Sequence, residues 1–257
     1  MSWVSISPLW LQKFGNSIEE YEDAFEFHPG DRPDGQRVYR LAVSDGATES
    51  SFAGIWAKQL VRSFCNQPFL KVVDLQDRIS ELSQRWHQIV FRRPLPWYAE
   101  EKARLGAFAT LLGIELEVVQ FNPSTIGKLR CLVIGDSCLF QVRENQLYLA
   151  VPVENSTEFG NSPNLLSSIP SHNQAIMEKV RFFDGNWQAG DHLFILTDAL
   201  SAWFLREYEA DQYPWVELFQ VLGSPEPQAA FRSWAETRWA NRSLKNDDLT
   251  CLVVQLS

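Results

Sequence analysis

The chain has 257 residues, and 45% hydrophobic content with 17 Phe and 10 Trp supplies enough apolar side chain for a substantial core without staples. A formal net charge of −9 disfavours nucleic acid as the main partner, because phosphate backbones are bound by clustered Lys and Arg. Cys65, Cys131, Cys138 and Cys251 show no C-x-x-C spacing, no basic-then-apolar leader opens the chain, and no apolar run approaches the roughly 20 residues that span a bilayer, so a reduced, cytoplasmic protein outside the membrane is expected.

Asp23 to Phe27 reads as a short strand, Pro29 to Gly35 as a turn-rich loop and Val38 to Ser44 as the returning strand. This hairpin sets Asp23, at the start of one strand, beside Asp45, at the end of the other. Apolar residues at helical spacing predict a helix in Ser50 to Phe64, and Val72 to Val90 reads as a second, both covering the hairpin on one side. Strands return at Phe108 to Phe121, Lys128 to Ile134, Leu139 to Val142 and Gln146 to Val151, with Asp136-Ser137 as the tight link between two of them. Glu154 to Asn173, rich in turn formers, reads as a long surface loop. A strand at His192 to Thr197 follows, then helices in Leu200 to Glu209, Pro214 to Leu222 and Glu226 to Ala240, then a last strand at Leu249 to Leu256. Runs of strands and runs of helices, without strict alternation, predict an α+β fold of antiparallel sheets faced by helices, in a chain whose length fits one large domain or two small ones. In such a sheet the start of one strand lies beside the end of its neighbour, so Asp247 can meet Asp198 and Asp45.

Those aspartates stand out because each sits at the lip of an apolar run: Leu41-Ala-Val-Ser-Asp45-Gly46, Leu132-Val-Ile-Gly-Asp136, Leu193-Phe-Ile-Leu-Thr-Asp198 and Asp247-Asp248-Leu-Thr-Cys-Leu. Taken singly, each is a turn residue or a helix cap, Asp45-Gly46 being a turn pair and Asp198 a cap for the helix near Leu200. Taken together, carboxylates gathered without basic partners repel one another unless a cation sits between them. Hard oxygen donors with no adjoining His or Cys favour Mg²⁺ or Mn²⁺ over zinc, and two such ions can clamp a phosphoryl group and acidify a water. His28, His87, His172 and His192 are scattered without ligand spacing, and Trp86, Trp97 and Trp187 read as core or loop anchors. No serine-hydrolase elbow surrounds Ser44 or Ser137, and there is no phosphate-binding loop with its lysine.

Six segments in order, Glu22-Asp23-Ala24, Val43-Ser-Asp45-Gly46, Gly106-Ala-Phe-Ala-Thr110, Gly135-Asp136-Ser137, Gly190-Asp-His-Leu-Phe-Ile-Leu-Thr-Asp198 and Asn246-Asp247-Asp248-Leu-Thr250, resemble the motifs of the metal-dependent protein phosphatase 2C family, bacterial type, from Glu22 to the C-terminus. The resemblance implies a single phosphatase 2C-like domain over residues 1–257, a four-layer α-β-β-α sandwich with two central antiparallel sheets and a site for two Mn²⁺ or Mg²⁺ ions. By position Asp45 resembles the ligand shared by both ions, with the Gly46 carbonyl on one of them, and Asp198 and Asp247 resemble ligands of the second. Glu22 and Asp23 resemble the acidic pair that holds the ions through water, and Asp136 with Asp198 resembles the third-metal site of bacterial members. The implied nucleophile is metal-bound hydroxide, with no phosphoenzyme.

Three positions depart from the family pattern. Ile18 stands where an arginine usually grips phosphate, Ala47 where many members carry a histidine, and Thr197-Asp198-Ala199 replaces Ser-Asp-Gly. Arg37, Arg40, Lys102 and Arg104 are candidate substitutes for the missing arginine. The leading expectation is therefore a phosphoserine and phosphothreonine phosphatase acting on a phosphoprotein, partnered by a serine/threonine kinase. The alternatives are a catalytically weak phosphatase-like binding or regulatory module and a structural Ca²⁺-binding domain.

Overall fold

Strand pairing sorts the chain into two five-stranded antiparallel sheets whose members are interleaved along the sequence. The computed structural model describes residues 3–32, 35–120, 125–160 and 163–257. In chain order the elements begin with β1 (Val4–Leu11), β2 (Ala24–Asp31), β3 (Arg37–Ser44), α1 (Ala53–Asn66), α2 (Val72–Val90) and α3 (Trp97–Arg104). There follow β4 (Phe108–Ala109), β5 (Leu111–Gln120), β6 (Ile126–Ile134), β7 (Cys138–Arg143), β8 (Gln146–Val151), β9 (Leu166–Ser167), α4 (Gln174–Met177) and β10 (Arg181–Gln188). The chain closes with β11 (His192–Leu196), α5 (Asp198–Glu209), α6 (Pro214–Leu222), α7 (Pro227–Ala240) and β12 (Leu249–Leu256). One sheet has the order β1-β12-β11-β7-β8, the other β10-β6-β5-β3-β2, and β4 pairs with β9. This is the expected α+β class.

Two compact units result. The first comprises Met1–Tyr21, Asp136–Asn161 and Ala189–Ser257. Its sheet is faced by α5, α6 and α7 over a core of Leu11, Phe140, Phe194, Leu196, Trp203, Phe204, Trp215, Leu218, Phe231 and Cys251. Phe140 and Phe204 stack with centroids 4.4 Å apart, and burying each such ring contributes about 1.5–3 kcal/mol.

The second unit comprises Glu22–Gly135 and Ser162–Gln188. Trp56, Leu60 and Phe64 recur at every fourth position of α1 and bury onto the sheet with Ala42, Leu111 and Leu132, while Leu75, Ile79, Leu82 and Trp86 of α2 close the same core. Gly113 of β5 permits this approach, since a Cβ there would lie 2.5 Å from the Phe64 ring. The helix begins at Ala53 rather than Ser50, because Phe52 has a left-handed backbone with φ of 64° and cannot join a right-handed helix.

Several readings of the sequence change. Pro29 lies inside β2, opposite Tyr39, which is admissible because β2 is an edge strand and needs no second ladder of donors. Asp136-Ser137 does not close a hairpin, since β6 and β7 belong to different sheets. Residues 154–173 are not wholly a surface loop, because Leu166 is buried and its carbonyl accepts the Trp56 indole N–H at 2.9 Å. The strands β1, β9 and β10 and the helices α3 and α4 are additional. Phe121, the expected end of the strand from Phe108, and Asn161 and Ser162 of the expected loop lie outside the described residues.

Candidate metal centre

In the second unit, β3 delivers Asp45 to its end and Thr110 holds it there. The Asp45 N–H donates to Thr110 Oγ1 at 2.9 Å, and the Thr110 N–H donates back to the Asp45 carbonyl at 2.9 Å. Ser44 adds a hydroxyl bond to the Thr110 carbonyl. Gly46 bridges to Ala109, and a Cβ at Gly46 would stand 2.7 Å from the Glu22 carbonyl and 3.0 Å from the Ala53 Cβ. Only a glycine therefore lets the Glu22 backbone lie against the Asp45-Gly46 turn. The Ala24↔Ser44 register, continued one step, sets buried Asp23 opposite Asp45 as the hairpin predicts.

In the first unit, Asp136, Asp198 and Asp247 interact. Asp136 precedes β7, Asp198 opens α5 behind the N-cap Thr197, and Asp247 precedes β12. The β11–β12 pairing, Leu196↔Cys251, extends through Thr197 and Thr250, which exchange bonds: the Thr197 N–H donates to the Thr250 carbonyl and the Thr250 N–H to Thr197 Oγ1, both at 3.1 Å. Asp45 follows a strand of the other sheet, so the expected strand-end meeting of Asp247 applies to Asp198 only. Burial, with the charge of Asp198 second, pushes the Asp136 carboxyl up to about 6. Its Oδ1 is buried without a hydrogen-bond partner.

One member of this group was not anticipated. The Lys245 ammonium lies 2.8 Å from Asp198 Oδ2 and 2.8 Å from Asp247 Oδ2, so the carboxylates do have a basic partner. Asp198 Oδ1 accepts the Ala199 N–H at 2.6 Å, as suits a carboxylate at a helix N-terminus, and Asp247 Oδ1 accepts the Asp248 N–H at 3.1 Å. Among the described residues, no three His, Cys, Asp or Glu side chains stand close enough together to hold a metal ion as they are arranged.

The candidate phosphate-gripping cations fare differently. Arg40 is buried and committed: Nε donates to Glu115 at 3.1 Å, Nη1 to the Asn66 carbonyl at 3.2 Å and Nη2 to the Asp31 carbonyl at 3.2 Å. Arg37 opens β3, eight residues before Asp45 and so about 26 Å away at the usual rise of a strand. Arg104 is exposed and paired with Glu100 at 2.7 Å, and Lys102 is exposed on the same helix. Trp86 and Trp187 are buried anchors as expected, whereas Trp97 is 78% exposed at the start of α3.

The family model for protein phosphatase 2C matches residues 20–236. The chain belongs to the protein phosphatase 2C family. Solved structures of similar fold include the serine/threonine phosphatase Stp1 from Staphylococcus aureus, 12% identical, with TM-score 0.56 over 100% of this chain and 96% of that one. PppA, a key regulatory component of T6SS in Pseudomonas aeruginosa, is 17% identical with TM-score 0.51 over 100% and 99% of the two chains. The catalytic domain of the serine/threonine protein phosphatase PstP, solved with two manganese ions, is 15% identical with TM-score 0.52 over 98% of each. No curated protein sequence matches the chain. As a member of a family of protein serine/threonine phosphatases, it has two antiparallel sheets with helices packed on each. No helix among the described residues is long and apolar enough to cross a membrane.

Proposed function

We propose that this chain is a metal-dependent phosphoprotein phosphatase, a single domain over residues 1–257 that hydrolyses phosphoserine and phosphothreonine in the cytoplasm, on proteins phosphorylated by a serine/threonine kinase. The observation that carries the reading is Asp136: its buried Oδ1 has no partner, and burial with the charge of Asp198 penalises the ionised carboxyl by more than the nearby Lys245 relieves, an arrangement that a further cation would stabilise. Four buried free cysteines suit a reducing compartment.

The donors fit Mg²⁺ or Mn²⁺, being hard oxygens throughout. Asp45 with the Gly46 carbonyl, Asp198 and Asp247 would be direct ligands, Glu22 and Asp23 would act through water, and Asp136 with Asp198 would serve a third ion. When bound, the ions supply Lewis acidity that activates water and neutralises phosphate charge. The chain's own part is positional. Thr110 fixes the backbone that aims Asp45, Gly46 keeps room for the Glu22 backbone, and the Ala199 N–H at the start of α5 orients the Asp198 carboxylate.

Purified protein with millimolar Mn²⁺ should hydrolyse p-nitrophenyl phosphate and a phosphothreonine peptide, with loss on chelation and in Asp45→Ala. Failure of the wild type, with Asp45→Ala behaving identically, rejects the enzyme reading. A second reading, a phosphatase-like regulatory module of weak turnover, is favoured by Lys245 lying between two of the carboxylates and by the commitment of Arg40 to Glu115. Turnover that disappears on chelation excludes it.

A further inference from the structure

Asp198 and Asp247 already share a cation. Two carboxylate oxygens converge on Lys245 Nζ, each at 2.8 Å, which is charge-assisted hydrogen-bond distance. The backbone that carries this ammonium is pinned on both sides. The Trp239 indole N–H donates to the Lys245 carbonyl at 3.0 Å, the Phe14 N–H donates to Asn246 Oδ1 at 2.8 Å, and Asn246 Nδ2 donates to the Phe14 carbonyl at 3.2 Å. Farther along, Asp248 Oδ1 accepts the Lys13 N–H at 2.9 Å. The turn is therefore held in place while the lysine side chain, 60% exposed, keeps a flexible stem able to swing away.

An exposed lysine with one carboxylate is an ordinary surface ion pair of little consequence. Lys245 differs in bridging two carboxylates that come from different elements and sit beside a third, Asp136, whose buried Oδ1 remains without a partner. A divalent ion held by the same two carboxylates would carry its charge beside the ammonium, and like charges so placed repel. The two cations exclude each other.

We infer that Lys245 is a tethered competitor for divalent metal at Asp198 and Asp247, so that ion binding there requires the ammonium to withdraw and Lys245 sets the affinity of this group for metal. The inference rests on the ligand roles proposed for Asp198 and Asp247. It makes the lysine an affinity-setting residue and not a catalytic one.

The test is Mn²⁺ titration of the full chain by calorimetry, with free Mn²⁺ followed by electron paramagnetic resonance, in wild type, Lys245→Gln and Lys245→Arg. Lys245→Gln should bind Mn²⁺ about tenfold more tightly or more, and Lys245→Arg should stay near wild type. In chelator Lys245→Gln should melt lower than wild type, and should gain more than wild type on adding Mn²⁺. Equal affinity and stoichiometry in wild type and Lys245→Gln, with binding weakened by Asp198→Asn and Asp247→Asn, overturns the inference while leaving the ligand assignment standing. Mn²⁺ binding untouched by Asp198→Asn and Asp247→Asn overturns the assignment and the inference with it.

Discussion

Thr110 clasps Asp45 from both sides, accepting its N–H on Oγ1 and donating its own N–H to its carbonyl, each at 2.9 Å. The hydroxyl sits on a 1% exposed residue, so its loss leaves a backbone donor with no replacement from water. Thr110→Val keeps the shape and removes the acceptor, and an orphaned buried N–H costs about 1–3 kcal/mol. Thermal melts should show that loss, and Mn²⁺ affinity should weaken severalfold as Asp45 loosens. Unchanged melting together with unchanged Mn²⁺ binding would show that the clasp does not position Asp45.

Gly46 makes the next prediction. Its missing Cβ leaves 2.7 Å to the Glu22 carbonyl, a backbone atom that cannot rotate away. Gly46→Ala must push Glu22 off the turn, at about 1–3 kcal/mol for overpacking. Since Glu22 is proposed to act on the ions through water, Mn²⁺-dependent turnover should fall more than tenfold while the protein stays folded by circular dichroism. A variant with wild-type turnover would remove Glu22 from the site.

Arg40 separates structure from catalysis. Its Nε bond to Glu115 at 3.1 Å belongs to a buried network in which Arg32 lies 2.8 Å and Arg130 3.3 Å from the same carboxylate. Arg40→Met leaves Glu115 two cationic partners but strips the Asn66 and Asp31 carbonyls of a donor, so a loss of about 2–4 kcal/mol is expected. Turnover per folded molecule should be unchanged below the melting range. A KM for phosphopeptide raised tenfold would instead return Arg40 to the phosphate site.

Much of the architecture is legible because periodicity is a local signal. Val72 to Val90, Gln146 to Val151 and Leu249 to Leu256 coincide with α2, β8 and β12. The edge strand β10 is hidden because Asp184-Gly185-Asn186 has turn chemistry, and only pairing with β6 makes it extended. The destination of β7 is hidden for a related reason: two strands joined by Asp136-Ser137 look like a hairpin, and which sheet receives the second depends on a distant partner, here β11. Among the candidate ligands, the aspartates beside apolar runs are readable from sequence, and strand pairing sets Asp23 opposite Asp45 and brings the Asp198 and Asp247 ends of β11 and β12 together as expected. Lys245 is not readable, since a lysine two residues before an aspartate resembles any solvated charge until Asp198 closes on it from α5.

Asp136 gives the prediction with a definite sign. Its carboxyl rises from 3.8 to about 6 because burial, and then the charge of Asp198, penalise the ionised form in the folded chain. The unfolded chain releases the proton near pH 4 and the folded chain only near pH 6, so folded protein binds more protons between those values and metal-free stability declines as pH rises through that window. Above it the deficit is constant, at about 2–3 kcal/mol for a displacement of this size. Asp136→Asn removes the charge while keeping the shape. In chelator at pH 7.5 it should therefore be more stable than wild type by up to that amount, and the advantage should vanish near pH 4. Because the same substitution deletes a proposed ligand, added Mn²⁺ should stabilise it less than wild type, narrowing or reversing the order of the two melts. Denaturant titrations at the two pH values, with and without Mn²⁺, measure all of these quantities. An advantage equal at pH 4 and pH 7.5 would mean that Asp136 carries no buried charge, and would remove it as a metal ligand.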